Sequence, residues 1–211
     1  MQELGIELEQ EVRASVFLGV NLEQDLNTEP LEMKQTGVIQ LFIKAVCLDY
    51  GMSKGKFMIL EANPMVKDDN GEPVGGMFRY SSIAGMLIYL SGDTHPDVSL
   101  AVGICVRYMF SPKCSYKLTS KIFVGYLKQT KDCGLVLNYN YNVCKVYAYA
   151  GVDLSGMFGH EKPKYTAFFN RCTGFIVTFA DCPVLWVSKL HTDTALLTTE
   201  AEIITMAHCC R

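Results

Sequence analysis

The sequence predicts an α+β protein, on three observations. The 211 residues are 49% apolar, enough for one large or two small domains with a real core. Apolar residues recur at helical spacing through 36–51 and again through 80–132. From residue 134 the chain turns to Val-, Leu- and Tyr-rich runs of strand length, followed by one last helical stretch.

Each element has its own local reason. "ASVFLGVNLEQD" (14–25) reads as a strand, and "PLEMKQ" (30–35) as its return across a turn at "LNTE". "TGVIQLFIKAVCLDYG" (36–51) follows as a helix, with Thr36 as N-cap and Gly51 as terminator. The polar "KDDNGEPVGG" (67–76) holds the residues that favour turns and reads as a linker or surface connection. Three helices come next. "YSSIAGMLIYLS" (80–91) opens on serines suited to capping, and "PDVSLAVGICVRYMF" (96–110) has Pro96 in its first turn and is apolar on most sides. "PKCSYKLTSKIFVGYLKQTKD" (112–132) is amphipathic. "GLVLNYN" (134–140) and "VCKVYAYAG" (143–151) read as strands, and "CTGFIVTFA" (172–180) with "PVLWVSKL" (183–190) as a hairpin around "DCP". "TTEAEIITMAHCC" (198–210) starts a helix, with Thr198 as cap and Glu200 and Glu202 in the first turn.

A formal charge of -3 gives no global pull toward nucleic acid or membrane, so any such binding must come from a local patch. The nine cysteines show neither a C-x-x-C pair nor zinc-finger spacing. His208, Cys209 and Cys210 are consecutive, and successive helical residues point about 100° apart, so they do not converge on one metal. The expectation is an intracellular protein, cytoplasmic or nuclear, with buried free thiols. No signal peptide and no membrane span is expected.

Two sets of residues are candidates for chemistry. Asp153, at a strand end, and Glu202, early in a helix, are carboxylates that a sheet and its helix could bring together around magnesium. Glu200 and Glu202 diverge by about 200° on a helix, so at most one faces such a site. The bland alternative is a solvated loop acid and first-turn glutamates. Lys113, Lys117, Lys121, Lys128 and Lys131 fall within an arc of roughly 80° on one helical wheel and are candidates for tracking nucleic-acid phosphates. Their alternative is a solvated face. The four histidines lie in separate segments, and no glycine-rich phosphate loop is present.

Several stretches taken in order carry a resemblance: "FLGVNLEQD" (17–25), "FRYSSIAGMLIYLSGDTHPDVSLAVG" (78–103), "GYLKQTKDCGLVL" (125–137), "YAGVDLSGMFGHE" (149–161), "TGFIVTFADCPVLWVSKL" (173–190) and "TTEAEI" (198–203). The ordered set resembles the Pol polyprotein of copia-type (yeast Ty-type) LTR retrotransposons. The resemblance implies three regions. Residues 1–77 correspond to a reverse transcriptase C-terminal remnant and linker of β-β-α order, and 78–140 to a helical connection. Residues 141–211 correspond to a truncated ribonuclease H-like domain: a three-stranded antiparallel sheet with one helix. The implied ancestral work is reverse transcription and cleavage of the RNA strand of an RNA–DNA hybrid, with magnesium as the metal. Implied partners are such a hybrid or other nucleic acid, and an intact Pol protein.

The departures matter as much as the matches. Where the family reads Y-x-D-A-D-x-A-G, this chain has "YAGVDLSG". The principal acid falls on Gly151, the accessory acid on Asp153, and the metal-binding glutamate of T-E-A-E on Glu202. The family's R-P-D is "HPD" here, with His95 for the arginine. The polymerase Y-x-D-D signature is expected before Met1 and the final acid after Arg211. The expectation is a degenerate fragment, catalytically inactive, in which "VCKVYAYAG" presents an unpaired apolar edge. The alternatives are a module that binds nucleic acid or Pol, using the Lys113–Lys131 stripe and that edge, and an enzyme whose Asp153 and Glu202 are completed by a partner chain.

Overall fold

Two antiparallel sheets flank a helical core in the computed structural model, which describes residues 15–24, 30–47, 66–75, 78–140, 142–153, 172–190 and 198–211. The run expected as one strand over 14–25 is two. β1 (Val16–Phe17) and β2 (Val20–Gln24) pair across a turn at Leu18 and Gly19, whose φ angles of 49° and 80° are left-handed. Glycine adopts that region at no steric cost, which is why the break falls there. β3 (Leu31–Lys34) pairs with β2 in the register Leu22 to Met33. The "LNTE" turn lies outside the described residues. β4 (Leu135–Leu137) pairs with β3, so the strand expected over 134–140 is short and closes the first sheet in the order β1-β2-β3-β4.

The core is made by α1 (Thr36–Cys47), α2 (Tyr80–Asp93), α3 (Ser99–Val106) and α4 (Tyr116–Gln129). Ile39, Phe42, Leu90, Phe123 and Leu127 are completely buried in it. Each such side chain contributes about 1.5–3 kcal/mol by leaving water. α1 packs against both α2 and α4, so the core runs across residue 77. The buried Gln35 joins the start of α1 to the end of α2, accepting from Thr94 Oγ1 at 2.7 Å and donating to Asp93 at 3.2 Å.

Helix boundaries differ from the expected ones for identifiable reasons. The serine cap expected for α2 does not form: the N-cap is Arg79, and Ser81 and Ser82 lie inside the helix. Pro96 opens a 3₁₀ turn (Pro96–Val98) ahead of α3, and residues 107–110 leave α3 in tight turns. α4 starts at Tyr116 because the preceding residues pair elsewhere. Val74 N–H donates to the Pro112 carbonyl at 3.0 Å, and Cys114 N–H to the Glu72 carbonyl at 2.8 Å. The connection around 66–75 is thereby pinned to the entrance of α4, where Ser115 also donates to Asp68 at 2.8 Å.

The second sheet has the order β5-β6-β7, from β5 (Val146–Asp153), β6 (Cys172–Phe179) and β7 (Cys182–Leu190). The hairpin joining β6 to β7 turns at Ala180 and Asp181, both left-handed with φ of 50° and 67°. That is the hand a two-residue hairpin requires. α5 (Thr198–Cys209) packs on β5 and β6. No helix among the described residues is long and apolar enough to cross a membrane.

Candidate functional site

Strand register assigns the second sheet its two faces. Gly151, Gly174 and Ser188 stand in one cross-strand row, and Tyr149, Ile176 and Trp186 in the next. Directly paired residues share a face, so these rows form one face of the sheet. That face meets the helices. Trp186 Nε1 donates to the Ser91 carbonyl at 2.6 Å, and Arg107 donates to Cys172 Sγ at 3.2 Å. A Cβ on Gly103 of α3 would stand 3.3 Å from the Ser188 carbonyl, so this close approach suits glycine. The other face carries Thr173, whose hydroxyl meets that of Thr205 of α5 at 3.1 Å.

On the α3 side lies a cleft of about 350 Å³, lined by Tyr149, Gly151, Gly174, Trp186, Leu100 and Asp97, among others. Gly151, the position to which the resemblance assigns the principal acid, is on this lining. A Cβ at Gly151 meets nothing within 4 Å, so the position is open toward the cleft. The bulge that would draw Asp153 toward that place is absent. β5 pairs with β6 without a break from Val146 to Asp153, and the sheet's irregularity lies between β6 and β7 at Val177 and Thr178. Residue 153 therefore stays two residues along the strand, about 6.6 Å away.

Asp153 is the last residue of β5, in the register row of Cys172 and Leu190; its side chain lies outside the described residues. Glu202 is exposed on α5, whose buried residues Ala201 and Thr205 face the sheet. α5 covers the Thr173 side, whereas the row of residue 153 belongs to the α3 side. Glu200 is likewise exposed. Among the described residues no three His, Cys, Asp or Glu side chains gather as a metal site.

Asp97 is the acid lining the cleft among the described residues, and sequence reasoning gave it no role. It accepts a hydrogen bond from Tyr126, and His95 Nδ1 lies 3.5 Å from its other oxygen. Burial pushes the Asp97 pKa up, but the hydrogen bonds from His95 and Tyr126 outweigh it and hold the carboxyl below its ordinary value. Burial and the same carboxylate raise the Tyr126 phenol well above its ordinary value. His95 is itself buried, and its Nε2 has no hydrogen-bond partner. The signal available in the sequence was "HPD", the short string that departs from the family's R-P-D.

The lysine stripe assumed one helix across 112–132, and the structure corrects that. Lys117, Lys121 and Lys128 lie on α4, but Lys113 precedes it, bridged to Pro73, and Lys131 follows it. Lys117 Nζ sits 4.9 Å over the Phe78 ring, and Lys131 is 3.7 Å from Asp132. A second cleft, of about 420 Å³, is lined by Lys67, Arg107, Lys113, Asp68 and Asp69 together with Phe110.

The class comes from sequence relatives: the homologues of this chain are retrovirus-related Pol polyproteins. In particular they come from copia-type transposons and the yeast Ty5 element. The chain is 32% identical over 135 residues, 63% of its length, to the retrovirus-related Pol polyprotein from transposon TNT 1-94 of Nicotiana tabacum. It is 28% identical over 149 residues, 71% of its length, to that from transposon RE2 of Arabidopsis thaliana. These alignments span 9% and 10% of the two relatives, so the chain matches about a tenth of either. A protein ascribed to transposon Ty5-1 of Saccharomyces cerevisiae is 24% identical over 196 residues, which is 90% of the chain and 58% of that relative. No family model matches the chain, and no solved structure does.

Proposed function

We propose that this Pol fragment corresponds to the end of a reverse transcriptase followed by the start of a ribonuclease H-like domain, and that it does not cleave RNA–DNA hybrids. One observation carries the proposal: β5 pairs without a break, which keeps Asp153 in register and away from Gly151, where the resemblance puts the principal acid. Paired dications need several anionic oxygens to fix their geometry, and glycine offers none. Asp153 and Glu202 are the remnant of the acid set, and magnesium binds weakly or not at all. The test is magnesium-dependent cleavage of a labelled hybrid by the wild type and by Glu202→Gln. No cleavage by either is expected. A wild-type rate that Glu202→Gln abolishes overturns the proposal and supports a site completed by a partner chain. Gly151→Asp asks whether the missing acid alone was limiting, because its Cβ has room.

A second reading is that the chain retains binding without cutting. It rests on Lys117, Lys121 and Lys128, which share α4 and are half-buried rather than deeply enclosed. In this reading the partner is an RNA–DNA hybrid or other nucleic acid. Binding that weakens steeply with salt, and weakens further when these lysines become Gln, is the expected signature. Docking of an intact Pol protein along the open edge of β5 is the protein-partner version of the same reading.

A further inference from the structure

We infer that the open edge of β5 is a self-complementary interface through which two copies of this chain join their second sheets. In the order β5-β6-β7, β5 has a neighbour on one side only among the described residues. The phase of the strand is fixed by one bond: Ala180 N–H donates to the Lys145 carbonyl at 3.2 Å. Odd-numbered residues of β5 therefore direct N–H and C=O toward β6. The backbone groups of Val146, Ala148, Ala150 and Val152 point outward, where a second strand would pair with them.

The two edges of this sheet are built differently. β7 carries Pro183 and Lys189, its pairing with β6 is irregular, and α3 packs against it. Proline, lysine and irregular pairing are the devices by which edge strands avoid other chains. From residue 146 to 152, β5 has no proline, no charge and no break in register. Val146 is 66% exposed and Tyr149 60%.

The sequence of β5 then selects the occupant. Antiparallel pairing of two copies about Tyr149 sets Val146 opposite Val152 and Ala148 opposite Ala150. All four are outward-directed residues, as a hydrogen-bonded register requires. Lys145 of each copy falls opposite Asp153 of the other, so both ends of the interface carry opposite charges, and Tyr147 falls opposite Gly151. Opposite charges placed directly across a pair stabilise it, and an aromatic ring covers an edge glycine. A slip of two residues in either direction separates the charges. The symmetry axis stands perpendicular to the sheet, so the two clefts beside Gly151 open on the same face of the joined sheet.

The test is sedimentation of the full chain over a concentration series, with circular dichroism to check that each variant folds. A dimer is expected for the wild type. Ala148→Pro removes an outward donor without touching the β6 ladder and should leave a folded monomer. Lys145→Asp and Asp153→Lys should each raise the dimer Kd by about tenfold. The double variant, which restores the opposite charges, should return it to within about twofold of wild type. If Ala148→Pro fails to fold, the charge exchange decides alone. A monomer at every concentration overturns the inference, as does a dimer, or a larger assembly, that ignores the charge exchange.

Discussion

Around α1–α4 the fully buried side chains are large, Phe42, Phe123, Leu87 and Leu127 among them, whereas in β5–β7 and α5 they are small: Ala201, Thr173 and Thr205. The difference shows where each region gets its stability. The helices exclude water from one another. The second sheet leaves Val146, Tyr149, Val184 and Leu185 exposed and leans on a few anchors: Trp186 on α2, Arg107 on Cys172, and the threonine pair under α5. A region that buries little apolar surface opens at lower free energy than one that buries much.

Substitutions in the two regions test that contrast, and the largest effect belongs to the helices. Phe123→Ala should cost about 3–5 kcal/mol in denaturant unfolding, by lost burial and a residual cavity. A small cost there would place the core elsewhere. Next comes the seam. Trp186 is the chain's single tryptophan, so its fluorescence reports the second sheet alone. In urea, its transition should precede the loss of helical circular dichroism; coincident transitions would make the molecule one cooperative unit. Trp186→Phe, which leaves the Ser91 carbonyl without its indole donor, should cost about 1–2 kcal/mol and lower amide protection in β6 and β7 before α4. Thr173→Val should cost about 1 kcal/mol, and adding Thr205→Val should recover none of it, since the Thr205 hydroxyl still donates to the Ala201 carbonyl in the single variant.

The acid side of the pH profile gives a smaller effect. Asp97 has a depressed folded-state pKa, so its stabilisation is fully present above the unfolded value near 4 and is lost as pH falls through the folded one. Tyr126→Phe, which removes one of the bonds responsible, should flatten that acid-side fall. Smallest of all, Val184→Ala on the exposed surface of β7 should stay within about 0.5 kcal/mol of wild type.

The class of each element was legible because periodicity is local. Helical spacing marked α1 to α4, and the β-branched and aromatic run marked β5 to β7. What was not legible depended on partners distant in sequence. "LVL" looks like any strand, and only Met33 across the gap assigns it to the first sheet. Residues 112–114 have the composition of a helix start, yet the chain at 72–74 claims their backbone groups. The lysine arc failed as a single stripe for that reason. Gly151 was found by alignment to a motif, whereas Asp97, Tyr126 and His95 were missed as a group because they meet only in three dimensions.

Two residues bearing Cβ atoms, Ala180 and Asp181, make the left-handed bend between β6 and β7. Such backbone geometry is sampled rarely by an unfolded chain, where Asn-Gly would visit it often. Asn-Gly at this bend should therefore favour closure of the hairpin and improve the recovery of protein on refolding, with the finished sheet unchanged.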